Sequence, residues 1–240
     1  MNRKDIKIRS SEGKDFDLYL VTPDTKDKVP AIVMASAVHG MDAVHREICD
    51  EFAAAGYIAA GPDLFWRTLP GPLQVGDKRM QERSQPREEK IRTGEADLAD
   101  TAKFLRTLPE CNGKVAVIGL CYGGPYAVLG PKRLGYDAGV GCHSSLMMPY
   151  LKELDGVTQP VCLLWGDQDH SAPPEVQAAY LDKAKQMKNL DVHIFPGIKH
   201  GYMMHSAEAY DKKTYDFSMK RTLEILGGLR GDGPAMRKAS

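Results

Sequence analysis

The stretch KVAVIGLCYGG, residues 114–124, constrains this chain more than any other, because a β-rich apolar run enters a turn with three glycines around one cysteine. Val115, Ala116, Val117 and Ile118 lack the alternation of a half-exposed strand, so they read as a strand buried on both faces, the pattern of a parallel sheet. A helix opening at Gly123 places Cys121 on a strand-to-helix turn. A lone thiol in an apolar run usually behaves as a small hydrophobe. The glycines are what demand a reason, since they mark backbone with no room for side chains.

The rest of the chain repeats the same alternation. DFDLYLV at 15–21 alternates as a half-exposed strand, and AIVMAS at 31–36 follows a proline as a buried one. Val44, Ile48, Phe52 and Ala55 predict an amphipathic helix that Gly56 stops, followed by a short strand over 57–60. Residues 70–86 are rich in proline and glycine without a period, and read as a long irregular connection. A helix over 88–108, strands near 138–142, 161–165 and 192–195, and helices over 174–187 and 207–226 complete the series. Strands alternating with helices predict an α/β fold, a mostly parallel sheet with helices on both faces. A single domain over 1–240 is expected, with a disordered tail from about 230.

Lys+Arg and Asp+Glu both number 32, so no net charge favours nucleic acid or an anionic membrane, and a small-molecule partner fits better. No run of 18 uncharged apolar residues occurs, and the first sixteen residues lack a signal-type apolar segment, so a cytoplasmic protein is expected. Five cysteines without CxxC spacing argue against a disulfide scaffold or a zinc knuckle. No Walker A sequence is present, GVGCHS is not GxGxxG, and the histidines lack the helical spacing of a metal site. Neither a cofactor nor a metal is expected. A monomer and a homodimer both remain open.

In such a sheet ligands collect beyond the carboxyl ends of the strands. Three ends carry chemistry: Cys121 after KVAVI, GDQDH with Asp167, Asp169 and His170 after VCLLW, and His200 after DVHIF. Taken singly, each has an ordinary structural explanation: a buried thiol, a helix-capping aspartate, a loop histidine. Together they follow the order nucleophile, acid, histidine of the α/β-hydrolase triad, and GLCYGG fits its G-x-[S/C]-x-G elbow. A helix starting at Gly123 also aims free N–H groups at the thiol, which favours thiolate and a tetrahedral oxyanion alike.

VIGLCYGG, WGDQDH, PGIKHGY and GYIAAGPDLFWR together resemble the dienelactone hydrolases, the carboxymethylenebutenolidase branch of the α/β-hydrolase fold, over about residues 15–226. The resemblance implies that Cys121 is the nucleophile, His200 the general base and Asp169 the carboxylate that orients it. It also implies an oxyanion hole made by the backbone N–H groups of Val38 and Tyr122, and a small ester or lactone substrate of the dienelactone type.

The chain departs from the family at its substrate residues. Dienelactone hydrolases carry a glutamate in a Q-E-I-x-G segment; here the segment is SAVHG and Ala37 takes that place. They hold the substrate carboxylate with two arginines, one of which is replaced here by Met204, while Arg79 and Arg83 lie near the place of the other. His39 and His143 follow strands and are candidate pocket residues, with surface histidine as the alternative. Hydrolysis of another small ester or thioester therefore stays open, as does a non-enzymatic ligand receptor on the same fold.

Overall fold

The computed structural model describes residues 1–231. Eight strands form one sheet: β1 Asn2–Arg9, β2 Asp15–Thr22, β3 Val29–Ala35, β4 Ile58–Pro62, β5 Cys111–Leu120, β6 Ala138–Cys142, β7 Val161–Gln168 and β8 Leu190–Lys199, in the order β1-β2-β4-β3-β5-β6-β7-β8. The pairs β1–β2 and β2–β4 are antiparallel, and every pair from β4 to β8 is parallel. The helices are α1 Ala43–Ala54, α2 Met80–Ser84, α3 Arg87–Thr107, α4 Tyr126–Arg133, α5 Pro174–Gln186 and α6 Lys212–Arg230.

The unbroken apolar runs follow from burial on both faces. Along β5, Ala116, Ile118 and Leu120 join the core under α1 and α6, while Val115 and Val117 join the core under α3 and α4. Each central strand thus feeds two layers, and no position is left for a polar residue.

The expected elements agree with the structure in type and place while several bounds differ: the strand expected over 192–195 extends as β8 over Leu190–Lys199, and that over 161–165 as β7 over Val161–Gln168. Asp42 accepts from the His45 amide at 3.1 Å and starts α1. Asp211 accepts from Thr214 N at 2.8 Å, so α6 begins at Lys212 and not at 207. The helix expected from Gly123 starts as a single 3₁₀ turn over Cys121–Gly123 and becomes α4 only at Tyr126. Strand β1 was not expected: only Ile6 and Ile8 alternate among charges, and the charges sit on the sheet edge, where they discourage pairing with other chains. The connection over 70–86 contains only the short α2. Of the expected disordered tail, residues 232–240 lie outside the described residues. Among those described, no helix is long and apolar enough to cross a membrane.

Candidate active site

The glycines of the turn are steric requirements. A Cβ on Gly119 would lie 2.1 Å from the Gly123 carbonyl oxygen, one on Gly123 would lie 2.1 Å from Ala35 O, and one on Gly124 would lie 2.3 Å from Ser144 Cβ. Cys121 itself is held at φ 51°, a left-handed conformation that costs a non-glycine residue about 1–3 kcal/mol. The turn is therefore a tight elbow that lifts Cys121 above the carboxyl end of β5. Gly119→Ala is expected to destabilise the fold by about 3 kcal/mol, lowering Tm by roughly 6–12 °C, because the clash is with backbone that cannot rotate away. A thermal melt within about 2 °C of wild type would contradict this.

A second close approach brings the other two strand ends together. A Cβ on Gly166 of β7 would sit 1.9 Å from Ile198 O of β8, so glycine lets the two strand ends converge. Asp169 follows β7 and is 2% exposed; His200 follows β8 and is partly buried. His200 Nδ1 lies 2.9 Å from both carboxylate oxygens of Asp169, which fixes its proton on Nδ1 and leaves Nε2 for Cys121. Asp167, two residues earlier, is exposed and accepts the Gly197 amide at 2.7 Å, which ties the end of β7 to β8.

The electrostatics separate Cys121 from the other thiols. Burial pushes up the pKa of Cys49, Cys111, Cys142 and Cys162, that of Cys142 to about 12. Burial opposes ionisation of Cys121 too, but hydrogen bonding and charge from His200, then Ser145 and Arg87, outweigh it and hold this thiol below its ordinary value. For His200, burial works against the charged ring, but Asp169 and Cys121 push it up to about 10. Each partner therefore favours the charged form of the other, thiolate on Cys121 and imidazolium on His200.

The loop after β3 is pinned so that one amide stays available. Ala37 N donates to His45 Nε2 at 3.0 Å, while the other ring nitrogen of His45 donates to Asp42 at 2.6 Å. Arg83 reaches back to Val38 O and His39 O, and also holds Leu69 O and Gly71 O. Among the described residues Val38 N–H has no protein acceptor outside the helices and strands, and Tyr122 N–H lies in the 3₁₀ turn that carries Cys121.

The expected substrate residues lie as follows. Arg79 is exposed and paired with Asp77 at 2.6 Å. Arg83 is fully buried and clamps backbone carbonyls, so it shapes the loop over 38–40 and does not face a ligand. Met204 is buried in the apolar cluster that also holds Met41 and Met203. His143 is fully buried, its ring edge-on to His200 at 4.9 Å. His39 is partly buried, and burial lowers its pKa.

Three residues near the thiol had no recognised signal. Arg87 at the start of α3 donates to Ser145 O at 2.9 Å and lies over the Tyr122 ring. Ser145 Oγ is 3.5 Å from Cys121 Sγ. Ser171 Oγ is 2.7 Å from Asp169 Oδ1 and 2.9 Å from His200 Nδ1. Of these, only Ser171 left a trace in sequence, as the residue two beyond an aspartate whose amide that aspartate caps at 2.9 Å. A cavity of about 710 Å³ adjoins this network, bordered by Arg87, Ile91, Leu146, Tyr150, Ser171 and Val176.

Among the described residues, two clusters bring three metal-type donors within 4.8 Å of one another: Cys121, His143 and His200, and Cys162, Asp191 and His193. In the first, Cys121 and His200 are already paired with each other and with Ser145 and Asp169. In the second, Asp191 is held by His193 and Arg221. Neither donor set fits a cation without giving up these bonds.

The chain is similar to known proteins. The model of the dienelactone hydrolase family matches residues 16–229. Carboxymethylenebutenolidase 1 of Cupriavidus pinatubonensis is 29% identical over 228 residues, covering 94% of this chain and 97% of that protein. Hydrolase pyvD of Aspergillus violaceofuscus is 30% identical over 203 residues, covering 78% of this chain and 76% of its own. The crystal structure of a putative dienelactone hydrolase from Klebsiella pneumoniae superposes with a TM-score of 0.82 at 17% identity, covering 95% of this chain and 99% of that one. With the elbow, the eight-stranded sheet and the converging strand ends all in place, the chain has the α/β-hydrolase fold and belongs to the dienelactone hydrolase family.

Proposed function

We propose that this protein hydrolyses a small ester or lactone, of the dienelactone type, through an acyl-thiol intermediate on Cys121. The observation that carries the reading is that the elbow holds Cys121 at φ 51° with its sulfur within 4.8 Å of a ring nitrogen of His200, whose Nδ1 lies 2.9 Å from both oxygens of Asp169, and that of the five thiols this one has its pKa held down. In this reading the Cys121 thiolate attacks the carbonyl carbon, and the N–H groups of Val38 and Tyr122 stabilise the oxyanion. His200 gives its Nε2 proton to the departing oxygen as the C–O bond breaks. Water then loses a proton to His200 and attacks the thioester; the C–S bond breaks and the thiolate returns. Asp169 holds the ring in the required tautomer throughout.

The substrate side favours hydrolysis of other small esters as a second reading. Ala37 and Met204 are buried and apolar where dienelactone hydrolases place charged residues, and Arg79 and Arg83 are engaged elsewhere. Arg87 is the cation bordering the cavity that bonds only backbone carbonyls, whereas Arg92 pairs with Glu88 and Arg133 with Glu95 and Glu153. A substrate carboxylate would meet Arg87. A single domain in the cytoplasm completes the reading, and five unpaired cysteines suit a reducing compartment.

The test is the pH dependence of kcat/KM for an aryl ester. Activity needs the thiolate and the imidazolium together, so it is expected to rise at a lower pH than an ordinary thiol would give, reach a plateau, and fall as His200 loses its proton near about 10. A rate that keeps climbing to pH 9 without a plateau would indicate an unperturbed thiol and refute the pairing. A single stoichiometric burst without turnover would support a ligand receptor.

A further inference from the structure

The segment 143–147, between β6 and the 3₁₀ turns over Met148–Leu154, is fastened at every residue. His143 N donates to Leu164 O at 2.8 Å, and Trp165 Nε1 donates to Ser144 O at 2.9 Å. Ser145 N donates to Cys121 O at 3.0 Å, and Ser145 O accepts from Arg87. Leu146 N donates to Ser171 O at 3.2 Å, and Tyr180 donates to Met147 O at 2.9 Å. Two residues of the segment, His143 at φ 39° and Leu146 at φ 54°, adopt left-handed backbone, which is unfavourable outside glycine. Strain on both sides of the pair Ser144 and Ser145, fixed by so many bonds, indicates that the position of the pair matters.

Of the two, Ser145, 8% exposed, is the one whose side chain meets the thiol. Its hydroxyl lies 3.5 Å from Cys121 Sγ on one side and 3.2 Å from Ser171 Oγ on the other, and Ser171 continues to Asp169 Oδ1 at 2.7 Å. The titratable and charged groups facing the thiol are His200 after β8, with Asp169 behind it, His143 after β6, and Arg87 from α3. Ala37, after β3, adds no polar group.

We propose that Ser145 is a further catalytic residue, whose hydroxyl hydrogen turns between Cys121 Sγ and Ser171 Oγ as the sulfur gains and loses its negative charge. The proposal rests on the acyl-thiol reading above. No proton changes owner at Ser145. Before acylation the hydroxyl donates to the thiolate; once the sulfur is bonded to the acyl carbon it is a poor acceptor, and the hydrogen turns to Ser171. When hydroxide attacks the thioester and the C–S bond breaks, the hydrogen turns back and stabilises the departing thiolate. Both acyl formation and acyl release therefore pass through a state that Ser145 favours.

Iodoacetamide alkylation of Cys121 across pH, followed by peptide mass mapping, reads thiol ionisation without any substrate. In Ser145→Ala and Ser145→Val the midpoint is expected to rise by about one to two pH units, as for the loss of one hydrogen bond to a charged group. With an aryl ester the same variants are expected to release the acyl group roughly 10- to 100-fold more slowly, giving a burst of one equivalent. Ser145→Thr is expected to keep the wild-type midpoint, and the Val and Thr variants separate hydroxyl from bulk. An unshifted midpoint in the hydroxyl-free variants, or an equal shift in Ser145→Thr, overturns the proposal. Alkylation directed to another cysteine would instead overturn the acyl-thiol reading on which it rests.

Discussion

Cys121→Ala is expected to lower ester turnover by about 10⁴-fold or more, since removal of a nucleophile leaves only binding and oxyanion stabilisation. Alanine at Cys49, Cys111, Cys142 or Cys162 is expected to leave kcat nearly unchanged. These four are buried, and burial raises the pKa of each, so none supplies thiolate at neutral pH. Alanine fits the elbow because the crowding there falls on the Cα hydrogens of Gly119 and Gly123, not on the Cys121 side chain. Circular dichroism of Cys121→Ala should match wild type, which separates lost chemistry from lost fold.

The second large effect divides two neighbouring carboxylates. Asp169→Asn is expected to lower kcat by about 10⁴-fold: the amide keeps the shape, but it neither neutralises the imidazolium nor accepts from Nδ1–H on both oxygens. The Asp169 carboxyl has its own pKa held down, against burial, by His200 and Ser171, so it is anionic throughout the working range. Asp167→Asn is expected to change kcat by less than about threefold, because Asp167 is exposed and its bond to the Gly197 amide survives with the Asn side-chain oxygen. Steady-state kinetics of both variants on one aryl ester decide the ranking. A larger loss from Asp167→Asn would show that the acid was misassigned.

What could be read from the sequence followed from periodicity and from strand ends. The central strands declared themselves because burial on both faces demands uninterrupted apolar residues; Cys121 and Asp169 stood out because each follows such a strand directly, and His200 because it follows the shorter apolar pattern of the edge strand β8. Strand β1 escaped because an edge strand carrying charges has too few apolar residues to set a period. Arg83 was placed near the right loop but given the wrong surroundings, since its partners at Val38 and His39 are more than forty residues away and the intervening path has no regular pattern. Ser145 and Arg87 were illegible for a related reason. Their meeting depends on left-handed backbone at His143 and Leu146, and nothing in CHSSL announces φ above zero at non-glycine residues. Ala37 and Met204 were visible as departures from family pattern, but only the structure shows that Ala37 is buried and that Met204 packs in an apolar cluster.

The central claim is a covalent acyl group on one sulfur, and the most direct measurement is mass spectrometry of enzyme acid-quenched during turnover of a slowly released aryl ester. The expected result is one acyl equivalent on the peptide carrying Cys121, formed with release of the alcohol and lost on incubation at neutral pH. An acyl group on a serine or on another cysteine, or undiminished turnover by Cys121→Ala, would contradict it.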